Sequence, residues 1–98
     1  MITRASELAE SGICRKVYPL TSSEIAVRHL VTRVTQPDSP FRPHKHEGWE
    51  LWFILEGQAI VSLDGREHAV AAGDLIELAP LVEHGLRTDS QVKWICIG

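Results

Sequence analysis

The Asp64-Gly65 dipeptide constrains this chain more than any other feature. It stands between two β-rich runs and supplies the left-handed residues that a two-residue hairpin turn needs. It predicts antiparallel strands over residues 58–63 and 66–70. Similar punctuation recurs downstream, where Ala71-Ala72-Gly73-Asp74 reads as a turn into a buried strand over 75–78. His84 opens a further strand through Arg87, and Thr88-Asp89-Ser90 turns the chain into a terminal strand over 92–97. Many short strands with almost no helix between them imply an all-β barrel or sandwich.

Upstream the pattern is weaker. Residues 5–11 are compatible with a short helix that Gly12 would end, making an N-terminal arm of 1–12 ahead of a barrel spanning about 13–98. Residues 13–18 read as a strand, 19–23 as a turn, and 24–35 as a long β-branched strand. Its apolar phase shifts from Ile25 and Val27 to Leu30 and Val34, which implies a bulge near His29 or a strand buried on both faces. Residues 36–43 carry Pro37, Pro40 and Pro43 and read as an ordered loop, since proline cannot serve a central strand.

That loop delivers His44 and His46. A spacing of two puts both imidazoles on one face of an extended chain, whereas a helix would need three or four. Glu50 follows, opening the run 50–56, in which it shares a face with Trp52 and Ile54. If that face is interior, the carboxylate is costly to bury without a cation beside it. The same three residues read equally as a solvated histidine pair and an exposed glutamate. His84, at the end of the second strand-and-turn unit, adds a fourth donor and weight to a metal site. Three imidazoles and a carboxylate, with no thiolate, suit iron, manganese, nickel, cobalt, copper or zinc better than calcium. Four protein donors leave octahedral positions open for water or substrate.

Around these residues, Phe41 and Arg42 are expected at the pocket rim, with Arg42 able to clamp an anion through its guanidinium fork. Trp52, Ile54 and Trp94 are expected to line the pocket, or to be core. No general base can be named from sequence: Glu83 reads as an exposed turn residue, His68 as solvated, and His29 as a surface or interface histidine. Cys14 and Cys96 read as reduced, with Cys96 packed as a small apolar residue in phase with Val92 and Trp94.

Composition narrows the function classes. With 98 residues the chain makes one domain, small enough to benefit from a metal or a second copy. A net charge of −3 with mixed signs offers no basic stripe for nucleic acid, and no apolar run is long enough to span a bilayer. The N-terminus lacks the apolar centre of a secretory signal, so a cytoplasmic protein with a small-molecule partner is expected. Leu51 to Leu55 are apolar on both strand faces. That predicts an outer face, at Trp49 or Phe53, covered by a second copy in a homodimer.

The two motifs resemble those of the cupins, G-x5-H-x-H-x3,4-E-x6-G and G-x5-P-x-G-x2-H-x3-N. His44, His46, Glu50 and Gly57 fit the first, with Asp38 at its opening glycine. Gly73 and His84 fit the second, while Ala79 and Leu81 flank Pro80 in place of its P-x-G, and Thr88 stands for its asparagine. The resemblance covers about half the chain and implies a double-stranded β-helix, or jelly-roll barrel, with a metal at His44, His46, Glu50 and His84. It further implies a metal-dependent oxygenase, isomerase, decarboxylase or lyase acting on a small polar or anionic molecule. The alternatives are a non-catalytic binding or sensing cupin and a metal-free, epimerase-like cupin acting on a sugar derivative.

Overall fold

The computed structural model describes residues 1–21 and 25–98. Eight strands follow in chain order: β1 (Ile2–Thr3), β2 (Leu30–Thr35), β3 (Phe41–His44), β4 (Glu50–Leu63), β5 (Arg66–Ala71), β6 (Leu75–Leu78), β7 (His84–Arg87) and β8 (Val92–Ile97). All pairings are antiparallel. The architecture is all-β, as the turn pattern predicts, and a jelly roll, as the resemblance implies.

One strand joins the two layers. The first half of β4 lies between β6 and β8, pairing Trp52 with Ile76 on one side and Cys96 on the other. Its second half lies between β5 and β7, pairing Val61 with His68 and Leu86. The change of partners occurs at Gly57, just after a register shift between Ile54 and Glu56. Bulged corners of this kind let one strand serve two sheets. Gly57 has φ +90°, and a Cβ there would collide with the Gln91 backbone carbonyl. Gly57→Ala is therefore expected to cost about 2–3 kcal/mol, combining backbone strain with overpacking. Thermal unfolding should show a Tm lower by about 10 °C or more; an unchanged Tm would contradict this account of the corner.

The interior is built from the inward phase of these strands. Trp52, Ile54, Val61, Ile76, Leu78, Val92 and Trp94 are fully buried, and Phe41 packs against Trp52 and Trp94. The hairpin turns through Asp64 and Gly65 at φ 49° and 80°, as the dipeptide predicts.

Elsewhere the structure departs from sequence expectation. The N-terminal helix is a single 3₁₀ turn, Ala5–Glu7, and Gly12 does not cap it. Its residues follow β1, which pairs with β6, so the first residues are tied into the sheet. Residues 13–18 form no strand: Ile13 is 95% exposed, and nothing pairs with its backbone to hold it extended. The long strand expected over 24–35 begins only at Leu30, opposite Ile97, where its partner β8 ends. Glu24 and the turn at 22–23 lie outside the described residues. The bulge expected near His29 lies just before β2, where the Arg28 and His29 N–H groups both donate to the Gly98 carbonyl; burial on both faces does not occur, since Leu30 and Val34 face outward, 61% and 57% exposed. Residues 36–43 are not all loop, because Phe41–His44 is a strand at the edge of its sheet, where the missing Pro43 N–H leaves no ladder bond broken. β4 runs unbroken through Gly57 rather than ending there.

Phe53 meets Tyr18 edge-on at 5.5 Å, so this outward face is covered in part by the chain's own N-terminal segment. Both cysteines are free, Cys14 exposed and Cys96 buried. Among the described residues no helix is long and apolar enough to cross a membrane.

Candidate metal centre

Two strand ends and a loop place the histidines. His44 ends β3 and His84 begins β7, and they stand directly opposite in the ladder between those strands. His46 lies in the loop that follows, held in part by the bond from the Leu81 N–H to its carbonyl. The rings of His44 and His46 lie 4.5 Å and 4.8 Å from that of His84. Donor atoms from all three fall within 4.8 Å of one another.

The hydrogen bonds fix which nitrogen is free. Nδ1 of His44 faces the Arg42 carbonyl at 3.1 Å, Nδ1 of His46 faces that of Gly48 at 3.0 Å, and Nδ1 of His84 faces that of Val82 at 2.8 Å. A carbonyl only accepts, so each Nδ1 carries a proton, and the lone pair of the neutral ring is the one on Nε2. Metal-binding imidazoles are commonly oriented by such bonds. The Nε2 atoms of His46 and His84 are buried and have no hydrogen-bond partner. Unpartnered buried nitrogens are costly unless something meets them, and a divalent cation fits both the lone pairs and their convergence.

Glu50, the first residue of β4, stands beside this group. Its Oε1 accepts the Trp52 indole N–H at 2.6 Å, and its Oε2 lies 3.1 Å from His46 Nε2 without hydrogen-bond alignment. The geometric cluster therefore contains three histidines, with the carboxylate adjacent to it.

Burial lowers the His84 pKa below the usual imidazole value, against the opposing Val82 carbonyl; His44 and His46 lower it further, and Glu50 opposes them. The sign for stability follows. Between the folded and unfolded pKa the unfolded chain binds the extra proton, so stability is complete above the unfolded value and falls as pH drops below it. The Tm of metal-free protein is thus expected to be flat above about pH 7 and to decline below about 6.5, with a shallower decline in His84→Gln. Equal slopes in the two proteins would contradict it.

The remaining residues expected at the site divide by position. Trp52 stacks edge-on against His84 at 5.2 Å and holds Glu50, so it supports the centre directly. Ile54 and Trp94 are fully buried and have no free surface for a ligand; they are core behind Trp52. Phe41 is half-buried with its ring 4.8 Å from His44. Arg42 is exposed on β3, and its recorded contact with the centre is through its backbone carbonyl. Glu83 is exposed in its turn, whereas His68 is half-buried on β5.

Two features went unread in the sequence. A cavity of about 510 Å³ opens onto His46 and Glu50, with Arg28, His29 and Trp49 in its wall. Arg33, exposed on β2, lays its guanidinium 4.8 Å from the Phe41 ring and 5.7 Å from that of Trp94. The signal for Arg33 was its phase with Val31 and Thr35, hidden by the apolar residues on the opposite face.

Residues 31–98 match the family model described as a cupin domain. Over 68 residues the chain is 34% identical to a dimethylsulfoniopropionate lyase of Ruegeria pomeroyi, a match covering 67% of this chain and 45% of that one. Among solved structures, it is similar to a predicted oxalate decarboxylase from Thermotoga maritima, with TM-score 0.67 and 23% identity over 72% of this chain and 64% of that one. It is also similar to the salicylate 1,2-dioxygenase of Pseudoaminobacter salicylatoxidans, with TM-score 0.66 and 15% identity over 69% of this chain and 20% of that one. The match to the lyase thus spans less than half of that protein's length. The two solved structures, at these identities, speak to the fold.

Proposed function

Because the chain belongs to the cupin domain family and three of its imidazoles converge with their Nε2 atoms free, we propose that it is a metal-dependent enzyme acting on a compact polar molecule. The observation that carries this reading is the set of three Nδ1–carbonyl bonds, which orients the three rings with their Nε2 atoms turned away from the backbone before any ion arrives. His44, His46 and His84 would hold a divalent first-row transition metal, and Glu50 would join them by turning its Oε2 from His46 toward the ion. A metal so held polarises a bound oxygen or lowers the pKa of bound water. The chain's residues would do the rest. Trp52 steadies Glu50, the buried side of the barrel excludes water behind His84, and the cavity beside His46 admits a small ligand.

Likeness to a dimethylsulfoniopropionate lyase supports elimination from a small acid as the first reaction to assay, ahead of oxygenation, decarboxylation and isomerisation. Metal-free acid–base work on a sugar derivative leaves the buried Nε2 atoms of His46 and His84 without an ion to meet them.

The test is turnover of dimethylsulfoniopropionate and of a panel of small acids by metal-loaded protein, with and without chelator, alongside Glu50→Gln. Glu50→Gln keeps an oxygen for the Trp52 N–H but removes the charge, so metal affinity is expected to fall about 10–100-fold, as for other disturbances around metal ligands. Turnover should fall with it. Turnover that survives chelation would refute the proposal.

A further inference from the structure

An irregularity in the backbone shapes the wall of the cavity beside His46 and Glu50. The Arg28 and His29 N–H groups both donate to the Gly98 carbonyl, at 2.6 and 2.7 Å, and the Gly98 N–H donates to the His29 carbonyl at 3.1 Å. Two residues thus oppose one, as in a β-bulge. On a regular strand successive side chains point to opposite faces. Here Arg28 and His29, adjacent in sequence, both border the same cavity of about 510 Å³. Bulges beside functional sites re-aim side chains in this way.

Gly98 keeps that wall close to the metal-binding residues. The place a Cβ would take on it lies 3.4 Å from His29 Cε1 and 3.4 Å from Glu50 Cγ. The imidazole edge and the stem of the carboxylate therefore flank one bare glycine. Arg28, His29, His46 and Glu50 border a single cavity, so one small molecule in it meets all four.

Charge favours an acid there. Glu47 and Glu50 bring two negative charges to the wall and Arg28 one positive charge, so a divalent ion at the histidines leaves the cavity net positive. Among the described residues Arg28 pairs with no carboxylate. His44, His46 and His84 each spend a ring nitrogen on a carbonyl, whereas the His29 ring makes no hydrogen bond among the described residues. Both side chains are exposed, within reach of a ligand arriving from solvent. A guanidinium fork receives a carboxylate through two parallel hydrogen bonds.

We propose that Arg28 and His29 form the subsite that holds the carboxylate of a small acid whose reacting end faces the metal centre. This rests on the metal-dependent reading above and narrows its substrate to short carboxylic acids with a second polar group for the ion. Arg28 supplies the charge, and the His29 ring beside Glu50 supplies a hydrogen bond that sets which way the acid lies. Both are binding residues; the reacting end lies at the histidines.

Calorimetric titration of zinc-loaded protein with three hydroxamates tests it. The monohydroxamate of succinic acid and its amide chelate zinc through the same group and differ only at the far end, a carboxylate or a neutral amide. Acetohydroxamate has no far end and reads the ion alone. Wild type is expected to bind the acid about tenfold more tightly than the amide, the worth of one charge-assisted pair. Arg28→Gln should erase that preference while keeping the zinc content and the affinity for acetohydroxamate, and Arg28→Lys should retain part of it. His29→Phe, which keeps a ring without nitrogens, should weaken the acid about fivefold, the worth of one neutral hydrogen bond. Wild type that holds zinc and acetohydroxamate but binds acid and amide equally would overturn the subsite alone. Folded, zinc-loaded Arg28→Gln that keeps the preference, or His29→Phe that binds the acid as wild type does, would overturn it too. Wild type that takes up no zinc would overturn the metal reading and this inference with it.

Discussion

His84→Ala is expected to abolish metal uptake, lowering affinity by at least about 100-fold, and to remove turnover with it. His84 is the hub of the cluster: 1% exposed, opposite His44 in the ladder, and closer to each of the other two rings than those are to each other. Removing it leaves two ligands at the edge of the sheet, His44 at the end of β3 and His46 in a loop. Comparing zinc binding by wild type, His84→Ala and His84→Gln checks this. The glutamine variant fills most of the volume but lacks the Nε2 lone pair, so it should fold better than the alanine variant and still fail to bind. Full zinc affinity in either would mean that the three-histidine cluster is not the metal centre.

The largest effect on stability is expected at Trp94. Its ring is fully buried, 4.6 Å from Trp52 and 5.3 Å from Phe41, and its indole N–H donates to the buried Thr35 hydroxyl at 3.0 Å. Trp94→Ala opens a cavity costing about 3–5 kcal/mol and strands that hydroxyl at roughly 1 kcal/mol more. Set against the 5–15 kcal/mol that holds a typical domain together, this leaves roughly two thirds of the molecule's stability at best and none at worst. Thermal unfolding should show a Tm lower by about 20 °C or more, or no cooperative transition. Trp94→Phe, which keeps most of the packing and loses the hydrogen bond, should fall in between. An alanine variant within a few degrees of wild type would show that Trp94 is not central to the core.

What the sequence made legible is what depends on local chemistry. The Asp64-Gly65 turn needs left-handed residues, and the period of two places Trp52, Ile54, Val92, Trp94 and Cys96 on buried faces irrespective of the distant chain. His44 and His46 were legible from their spacing of two, although the structure puts His46 in the loop after β3 and not on the strand, and His84 from its place after the second strand-and-turn unit. What stayed hidden depends on partners. Residues 13–18 have the composition of a strand but pair with no strand among the described residues, and β2 starts only where β8 can reach it. Pro43 argued against a strand because a sequence does not say which strand lies at an edge. Arg33 was overlooked for the same reason: that its side chain faces Phe41 across the gap between β2 and β3 is a fact of tertiary structure. The tilt of Glu50 toward His46 and Trp52, beside the histidine cluster, is likewise beyond any motif.

The central claim is that these three imidazoles exist to hold a metal ion. Elemental analysis of wild type and His84→Gln, purified without chelator and then equilibrated with zinc and desalted, tests it most directly. The account predicts about one equivalent of a first-row transition metal on the wild type and almost none on the variant. A folded wild type that leaves the column without metal, or a variant that carries as much as the wild type, would contradict it.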